Sequence, residues 1–337
     1  MKKSAWIGIT AGALVAVLGG AALAVGDYVY TSGTTVPCAI NADDLDNTPE
    51  AFYTSGSGEG PFPGEGWEKW VGTDLSDWWM VGVPYEAVTI PVAEDIDLSA
   101  WWITPMDGND KTVIVTHGIG TSRRDFNALL PSAMLVQGGF NVLLVDTRDT
   151  GESTCTDGRH SAGQEESDDF AEVAKWLIAE KNVVPASLGM FGVSGGAIAT
   201  SLLPAKTDMV SAFAMEGTIF DFNAAATKEV EYQGFPGFLW QLAQASAQLF
   251  HGVNLTETSV KDSIVDAGDR PMLILHGDAD QRLDYQSSLD FFDYANSVGA
   301  NITLETFRGS DHTEGMLSES ERYARVLSEF FEASLSN

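Results

Sequence analysis

Short apolar runs alternate with longer amphipathic stretches along the chain from Glu86 onward. The short runs, such as 112–116 and 141–146, are rich in β-branched and aliphatic residues and are typical of buried strands. The longer stretches carry an apolar residue every three or four positions, as Phe170, Val173 and Leu177 do. This alternation predicts an α/β fold with a mostly parallel central sheet and helices on both faces.

The apolar runs and the turn residues between them place the individual elements. A strand pair across an acidic turn is predicted at 86–92 and 98–104. Further strands are predicted at 112–116, 141–146, 187–193, 210–215, 271–275 and 302–307. Helices are predicted at 125–137, 165–180, 195–203, 284–298 and 317–333. All of these elements are expected to form one domain, residues 86–334.

An insertion interrupts this alternation at about 220–266. It contains the aromatic run Phe235-Pro-Gly-Phe-Leu-Trp240 and a helical stretch rich in Ala, Gln and Leu. An insertion that follows a strand of a parallel sheet lies over the edge where such sheets bind ligands. We therefore expect a short helical cap.

The N-terminal segment 1–26 has the pattern of a membrane anchor or a signal segment. Two lysines precede Ser4–Gly26, which carries no charged residue and is long enough for a membrane span of about 20 residues. The lysines favour a cytoplasmic N-terminus, so the expected location is the cell membrane, with a single pass and the domain outside. A cleavage site at Ala22-Leu23-Ala24 leaves secretion after signal cleavage as the alternative.

Residues 27–85 read as an irregular extension that is too aromatic for a linker. Four tryptophans fall in it, and we expect the segment to pack on the domain. They are Trp67, Trp70, Trp78 and Trp79.

Charge and cysteine content narrow the possible partners. The net charge of −30 disfavours nucleic acid and anionic lipid surfaces, because binding to phosphates needs clustered Lys and Arg. The two cysteines, Cys38 and Cys155, do not form a motif with metal or redox spacing. We expect them to form one disulfide, with two unpaired thiols as the alternative. A monomer is expected.

One serine stands in a pattern with chemical meaning. Gly192-Val-Ser194-Gly195-Gly196 lies between a predicted strand and a predicted helix, which is the G-x-S-x-G arrangement of a nucleophile elbow. A serine hydroxyl is a weak nucleophile and must be held exposed beside a base. Glycines next to it avoid side-chain clashes in the sharp turn, and the helix start supplies N–H groups for a developing oxyanion.

A second glycine-rich turn follows the strand 112–116. The sequence Thr116-His117-Gly118-Ile119-Gly120 can direct a backbone N–H at an oxyanion, with the N–H of Gly195 as the second donor. His117 stands in the turn itself, and we interpret it as structural.

The chain has five histidines, and their positions along it decide which one can be the base beside Ser194. His312 alone follows the last strand, in a loop that can fold back over the serine. The order is then Ser194, an acid, and His312, which is the order of the α/β-hydrolase fold. Asp278 and Asp280 compete for the acid in His276-Gly-Asp-Ala-Asp280; Asp280 stands further out on its loop and is preferred.

These motifs together resemble the α/β-hydrolase superfamily, and the loop Asp146-x-Arg148-x-x-Gly151-x-Ser153 is similar to its lysophospholipase-like and serine-aminopeptidase-like branch. The resemblance covers about residues 86–334. It implies a catalytic triad and two oxyanion donors: Ser194, Asp280 and His312, with Ile119 and Gly195. It also implies that the loop carrying Cys155 lies near the catalytic edge, so that a bridge to Cys38 would pin the N-terminal extension there.

The expected function is that of a serine hydrolase acting on a small-molecule ester or acyl substrate, with no metal or organic cofactor. The apolar, aromatic insertion favours an ester. A serine peptidase or aminopeptidase is the first alternative, and a non-catalytic binding protein on the same fold is the second. Dehalogenases and epoxide hydrolases are disfavoured, because they need a carboxylate nucleophile where Ser194 stands.

Overall fold

The computed structural model describes residues 2–36, 38, 46–54 and 67–336. The other parts of the predicted N-terminal regions, residues 1, 37, 39–45 and 55–66, lie outside the described residues. The chain divides into two compact units. The smaller one comprises Met1–Thr35 and Asp221–Glu257, and the larger one comprises Val36–Phe220 and Thr258–Asn337.

The larger unit is built on an eight-stranded sheet. Its strands are β1 (Tyr85–Ala93), β2 (Ile96–Ile103), β3 (Thr112–Thr116), β4 (Asn141–Val145), β5 (Leu188–Val193), β6 (Ala212–Glu216), β7 (Met272–Gly277) and β8 (Ile302–Phe307). Their order is β1-β2-β4-β3-β5-β6-β7-β8. The pairs β1–β2 and β2–β4 are antiparallel, and the other pairs are parallel. The predicted mostly parallel sheet is confirmed.

The α-helices follow the predicted order, with bounds that differ by a few residues. They are α1 (Lys2–Thr34), α2 (Phe126–Gln137), α3 (Gln164–Glu180), α4 (Gly195–Leu202), α5 (Phe222–Tyr232), α6 (Leu239–Ser246), α7 (Val260–Ala267), α8 (Tyr285–Ser297), α9 (Gly315–Ser318) and α10 (Ser320–Ser334). Several begin at an N-cap side chain that accepts a backbone N–H, for example Asp125 from Asn127 and Asp284 from Gln286.

Helices cover both faces of the sheet. Val113 and Val115 of β3 are buried in one cluster with residues of α2 and α10. The residue between them, Ile114, is equally buried on the opposite face, since successive side chains of a strand alternate. On that face α4 packs against β5 and β6, and it contacts α3 and α7. The central strands β3 to β7 are therefore buried from both sides, and only their ends can carry a site.

The described part of the N-terminal extension packs into this core. Phe52, Leu75 and Met80 are at most 5% exposed and belong to the same cluster as α2 and α10. Asn47 and Arg124 exchange two hydrogen bonds: Asn47 Nδ2 donates to the Arg124 carbonyl, and Arg124 Nη1 donates to the Asn47 carbonyl. The described residues of the extension from Val36 onward are thus part of the larger unit, whereas residues 27–35 belong to the smaller one.

The smaller unit joins α1 to the first part of the insertion, helices α5 and α6 and a π-helical turn at Ala247–His251. Ser246 Oγ donates to the Leu23 carbonyl at 2.7 Å, and His251 Nε2 lies 2.7 Å from Asp27 Oδ1. A Cβ at Gly26 would collide with the Leu242 carbonyl oxygen, so the two backbones approach closely there.

The prediction of a single-pass membrane location is wrong. Among the helices that the structure describes, none is both long and apolar enough to span a bilayer. Helix α1 also continues without a break through Asp27 to Thr34, beyond the boundary predicted at residue 26. From Leu23 onward its residues contact other helices of its own unit.

A buried carboxyl ends strand β6. Glu216 is 1% exposed; its Oε2 accepts a 3.1 Å hydrogen bond from the Tyr323 hydroxyl, and its Oε1 meets no hydrogen-bond partner among the described residues. Burial raises the pKa of Glu216 from 4.5 to about 8, because water no longer solvates the charged form. At neutral pH the group is therefore a neutral acid.

A disulfide links the chain at Cys38 to the loop after β4 at Cys155, 117 positions apart, as predicted. The same loop is held by Asp149, which accepts from the Thr156 hydroxyl at 2.6 Å and the Gly158 N–H at 3.1 Å. The Val36 N–H donates to the Gly158 carbonyl at 2.8 Å. The bridge thus fastens a loop that hydrogen bonds already shape.

Removing the disulfide should lower the free energy of unfolding. The Cys38→Ser/Cys155→Ser double variant should lose up to about 4–5 kcal/mol, since the bridge closes a loop of over a hundred residues in the unfolded chain. Guanidinium unfolding with and without reductant measures this. The wild type should fall to the level of the variant when reduced, and the variant should not respond to reductant. Equal stability of wild type and variant without reductant would contradict the prediction.

The buried acid should make stability depend on pH. Between about 4.5 and about 8 the folded state holds a proton on Glu216 that the unfolded state has lost, so the free energy of unfolding should fall as pH rises through this window. Glu216→Gln keeps the group neutral and should reduce that decline. Denaturant unfolding from pH 5 to pH 9 tests this, with the exposed Glu94→Gln as a control that keeps the wild-type slope. An unchanged slope in Glu216→Gln would refute the assignment.

Candidate active site

Ser194 stands in a strained turn between β5 and α4. Its backbone angles are φ 52° and ψ −112°, in a region that non-glycine residues rarely adopt. The turn is possible because glycines flank it closely. A Cβ at Gly192 would collide with the carbonyl oxygen of Gly196, and a Cβ at Gly196 would lie 2.6 Å from the His117 carbonyl oxygen. The Ser194 N–H donates to the Glu216 carbonyl at 2.8 Å, which ties the turn to the end of β6.

His312 lies between the serine and an acid. Its Nε2 is 3.0 Å from Ser194 Oγ, and its Nδ1 is 2.7 Å from Asp280 Oδ2. An ionised carboxylate can only accept, so the ring proton belongs on Nδ1, and Nε2 is the acceptor for the Ser194 proton. The three side chains that the sequence selected thus come together with the geometry of a nucleophile, a base and an orienting acid.

Asp280 is fixed by four donors. Its Oδ1 accepts from the N–H groups of Arg282 and Leu283 at 2.8 and 2.7 Å, and its Oδ2 accepts from His312 and from His276 Nε2, the latter at 3.0 Å. Burial opposes the charge of Asp280. The attraction of His312 and the hydrogen bonds from both histidines outweigh burial and hold the pKa of the carboxyl well below its usual range. Asp280 therefore stays ionised and can stabilise a protonated His312.

The two predicted oxyanion donors lie side by side. A Cβ at Gly195 would be 2.9 Å from the Ile119 nitrogen, so the backbone of the 117–120 turn runs against the first residue of α4. A Cβ at Gly118 would lie 3.3 Å from the Cβ of Ser194. The N–H groups of Ile119 and Gly195 are therefore both close to the nucleophile, as an oxyanion hole requires.

The other candidate groups have structural partners. His117 is buried; its Nε2 accepts from the Thr147 N–H at 3.2 Å, which leaves its proton on Nδ1, 2.8 Å from the Gly118 carbonyl. Burial lowers the pKa of His117, so the ring is neutral. Asp278 Oδ1 accepts from the Gly309 N–H at 2.6 Å and serves a turn. The structure thus favours Asp280 over Asp278.

A cleft opens beside the oxyanion donors. Apolar and glycine residues form much of its lining: Val36, Gly118, Ile119, Ala162, Gly163, Gly195, Ile198 and Ala199. Two charged side chains also line it, and both have partners within the protein. Arg148 binds Asp169 through Nε and Nη2 at 2.7 and 2.6 Å, and Glu166 accepts the N–H groups of Ser161 and Gly163 at 2.9 and 3.0 Å.

A group with the spacing of metal ligands occurs among the described residues at Cys38, Asp149 and Cys155. Both sulfurs are in the disulfide, so these residues do not form a thiolate site.

Two residues at the site escaped the sequence analysis. The position of the base after the last strand leaves His276 without a predicted role, yet the turn after β7 brings its ring onto the Asp280 carboxylate. Glu314, two positions after His312, is 3% exposed and binds groups from the N-terminal extension. Its position in the motif Asp311-His312-Thr-Glu314 was the available signal, but no sequence pattern names its partner.

Comparison with known proteins places the chain in a family. The model of the prolyl oligopeptidase family matches residues 129–337, more than half of the chain. The inactive dipeptidyl peptidase 10 of Mus musculus is 25% identical over 167 residues, which cover 49% of this chain and 19% of the mouse protein. The chain thus spans about a fifth of that relative.

Solved structures agree in fold. The esterase Pf2001 of Pyrococcus furiosus has a TM-score of 0.62 and 21% identity, over 78% of this chain and 96% of that one. The acylaminoacyl peptidase of Pyrococcus horikoshii has a TM-score of 0.59 and 17% identity, over 75% of this chain and 42% of that one. At these identities the likeness shows the fold alone, and it confirms the predicted α/β-hydrolase fold. The chain therefore belongs to the prolyl oligopeptidase family.

Proposed function

We propose that the protein hydrolyses small carboxylic esters through an acyl-enzyme, with Ser194, His312 and Asp280 as its triad. Ser194 Oγ attacks the ester carbonyl carbon while His312 Nε2 takes the hydroxyl proton. The N–H groups of Ile119 and Gly195 bind the oxyanion. Protonated His312 gives its proton to the leaving alkoxide. A water molecule then attacks the acyl group while His312 Nε2 takes its proton, and His312 gives that proton to Ser194 Oγ as the acyl–oxygen bond breaks and the acid leaves.

The lining of the cleft beside Ile119 and Gly195 is the observation that favours an ester as the substrate. Its apolar wall suits an uncharged acyl or alkyl group. An aminopeptidase must also bind the ammonium group of its substrate, which calls for a carboxylate with oxygens to spare. Glu166, the acid in this cleft, already accepts from Ser161 and Gly163 through both of its oxygens.

A peptidase is the second candidate. Its support is the match to the prolyl oligopeptidase family and the likeness to an acylaminoacyl peptidase. The same triad geometry serves amide cleavage, in which His312 protonates an amine as it leaves.

A substrate panel separates the two candidates. We expect p-nitrophenyl esters of uncharged short acyl groups to be turned over with kcat/KM at least about 100-fold above that for aminoacyl and N-acylaminoacyl anilides. Ser194→Ala is the control for background hydrolysis of these activated esters. Higher kcat/KM on an anilide would favour the peptidase, and no turnover of either class above the Ser194→Ala background would favour a non-catalytic protein.

The triad should act as a unit. Ser194→Ala and His312→Ala should each lower kcat by about 10³-fold or more, and the double variant should lose little beyond either one. Asp280→Asn should lower kcat by about 10²-fold or more, because its amide no longer fixes the ring proton on Nδ1. Asp278→Asn is the matched control and should keep kcat near that of the wild type. Additive losses in the double variant would argue against the triad. A larger loss in Asp278→Asn than in Asp280→Asn would reassign the role of the triad acid to Asp278.

A further inference from the structure

Glu314 connects the loop that carries His312 to the N-terminal extension. This loop, residues 308–314 between β8 and α9, is called the histidine loop below. Its Oε1 accepts from Trp70 Nε1 at 2.8 Å, and its Oε2 lies 2.7 Å from Lys69 Nζ. The same Oε2 accepts the N–H of Asp311 at 3.0 Å. One buried carboxylate thus binds both a distant chain segment and the backbone next to His312. Trp70 and Lys69 lie outside the residues that match the family model.

Trp70 is itself held in place. Its carbonyl accepts from the Thr54 hydroxyl at 2.9 Å and from the Thr73 N–H at 3.0 Å. The neighbouring extension residues Leu75 and Met80 are buried in the main core. The Trp70 indole N–H is therefore held in a fixed position when it donates to Glu314.

The histidine loop needs such a support. Thr313, between His312 and Glu314, has a φ of 54°, a conformation that is strained for a β-branched residue. On its other side the histidine loop is joined to the loop that carries Asp280, between β7 and α8. Asp311 Oδ1 accepts from the backbone N–H of Gln281, and Asp311 Oδ2 accepts from its side chain, both at 2.8 Å. External hydrogen bonds thus hold the loop on both sides of His312.

We propose that the N-terminal extension is a positioning element for catalysis: Trp70 and Lys69 hold Glu314, and Glu314 holds the loop that sets His312 Nε2 against Ser194. The inference rests on the proposed triad, and it assigns a role to residues 69–70. Loss of the Trp70 bond lets the loop move, so that His312 meets Ser194 and Asp280 in the right geometry for a smaller fraction of the time.

Trp70→Phe is the test, and Trp79→Phe is its matched control. Trp79 is a half-buried tryptophan of the same extension, and its Nε1 also donates a 2.8 Å hydrogen bond, but to the Phe52 carbonyl, away from the histidine loop. Each substitution removes one indole N–H and keeps an aromatic ring. The measured quantity is the rate at which a fluorophosphonate labels Ser194, with thermal unfolding as the readout for stability.

We expect Trp70→Phe to lower the labelling rate about tenfold, and Trp79→Phe to keep it within about twofold at a similar loss of Tm. In steady-state kinetics with a substrate that the wild type hydrolyses, Trp70→Phe should lower kcat and leave KM nearly unchanged. Its acid limb of kcat/KM should move to lower pH, since His312 spends less time beside the Asp280 charge. Equal labelling rates in the two variants would overturn the proposal.

Two further variants guard against misfolding. Lys69→Met removes the ion pair to Glu314 and the contact of Lys69 Nζ with the Trp70 ring, made by a side chain that is 54% exposed, and it should slow labelling about twofold. Glu314→Gln keeps an oxygen acceptor for Trp70 and should label faster than Glu314→Ala. The probe labels either an esterase or a peptidase, so an error in the substrate class does not affect the result. A wild type that does not label would reject the triad, and with it the positioning role.

Discussion

The backbone conformation of Ser194 is the constraint on which the site depends. A φ of 52° turns the chain from β5 into α4 within one residue, so the hydroxyl points out of the sheet while the start of the helix points at the same space. Glycines at 192 and 196 allow this turn, because a Cβ at either position would run into backbone atoms. His312 Nε2 then lies 3.0 Å from a Ser194 Oγ whose position the turn fixes.

Two buried acids near Ser194, Asp280 and Glu216, show how hydrogen bonding decides whether a buried carboxyl is charged. Asp280 accepts from four donors and stays ionised despite its burial. Glu216 ends a neighbouring strand, accepts from Tyr323 alone, and keeps its proton at neutral pH. A chain with a net charge of −30 thus places one negative charge against His312 and keeps the second carboxyl neutral. Additional negative charge there would compete with Asp280 for the histidine.

The sheet and the meeting of Ser194, His312 and Asp280 could be predicted because each depends on local patterns. Strands and helices have their own periodicities, and the parallel order brings the ends of β5, β7 and β8 to one edge. The link between Trp70 and Glu314 could not be predicted, since it joins positions 244 apart and no motif marks either end. His276 was missed because the search among the histidines was for the base alone, and a second histidine that binds the acid does not belong to the motif. The membrane prediction failed because it relied on the absence of charged residues from Ser4–Gly26, whereas none of the described helices is both long and apolar enough to span a bilayer.

The packing of α1 has a consequence for how the protein is made. The Leu23 carbonyl meets Ser246 across 223 positions, so the helix is synthesised long before its partners α5 and α6. At about 5–20 residues per second, the ribosome needs tens of seconds to supply them. Throughout that time the part of α1 from Leu23 to Asp27 lacks the helices that it contacts in the folded protein. The smaller unit can therefore form only after strands β1 to β6 of the larger unit have been synthesised.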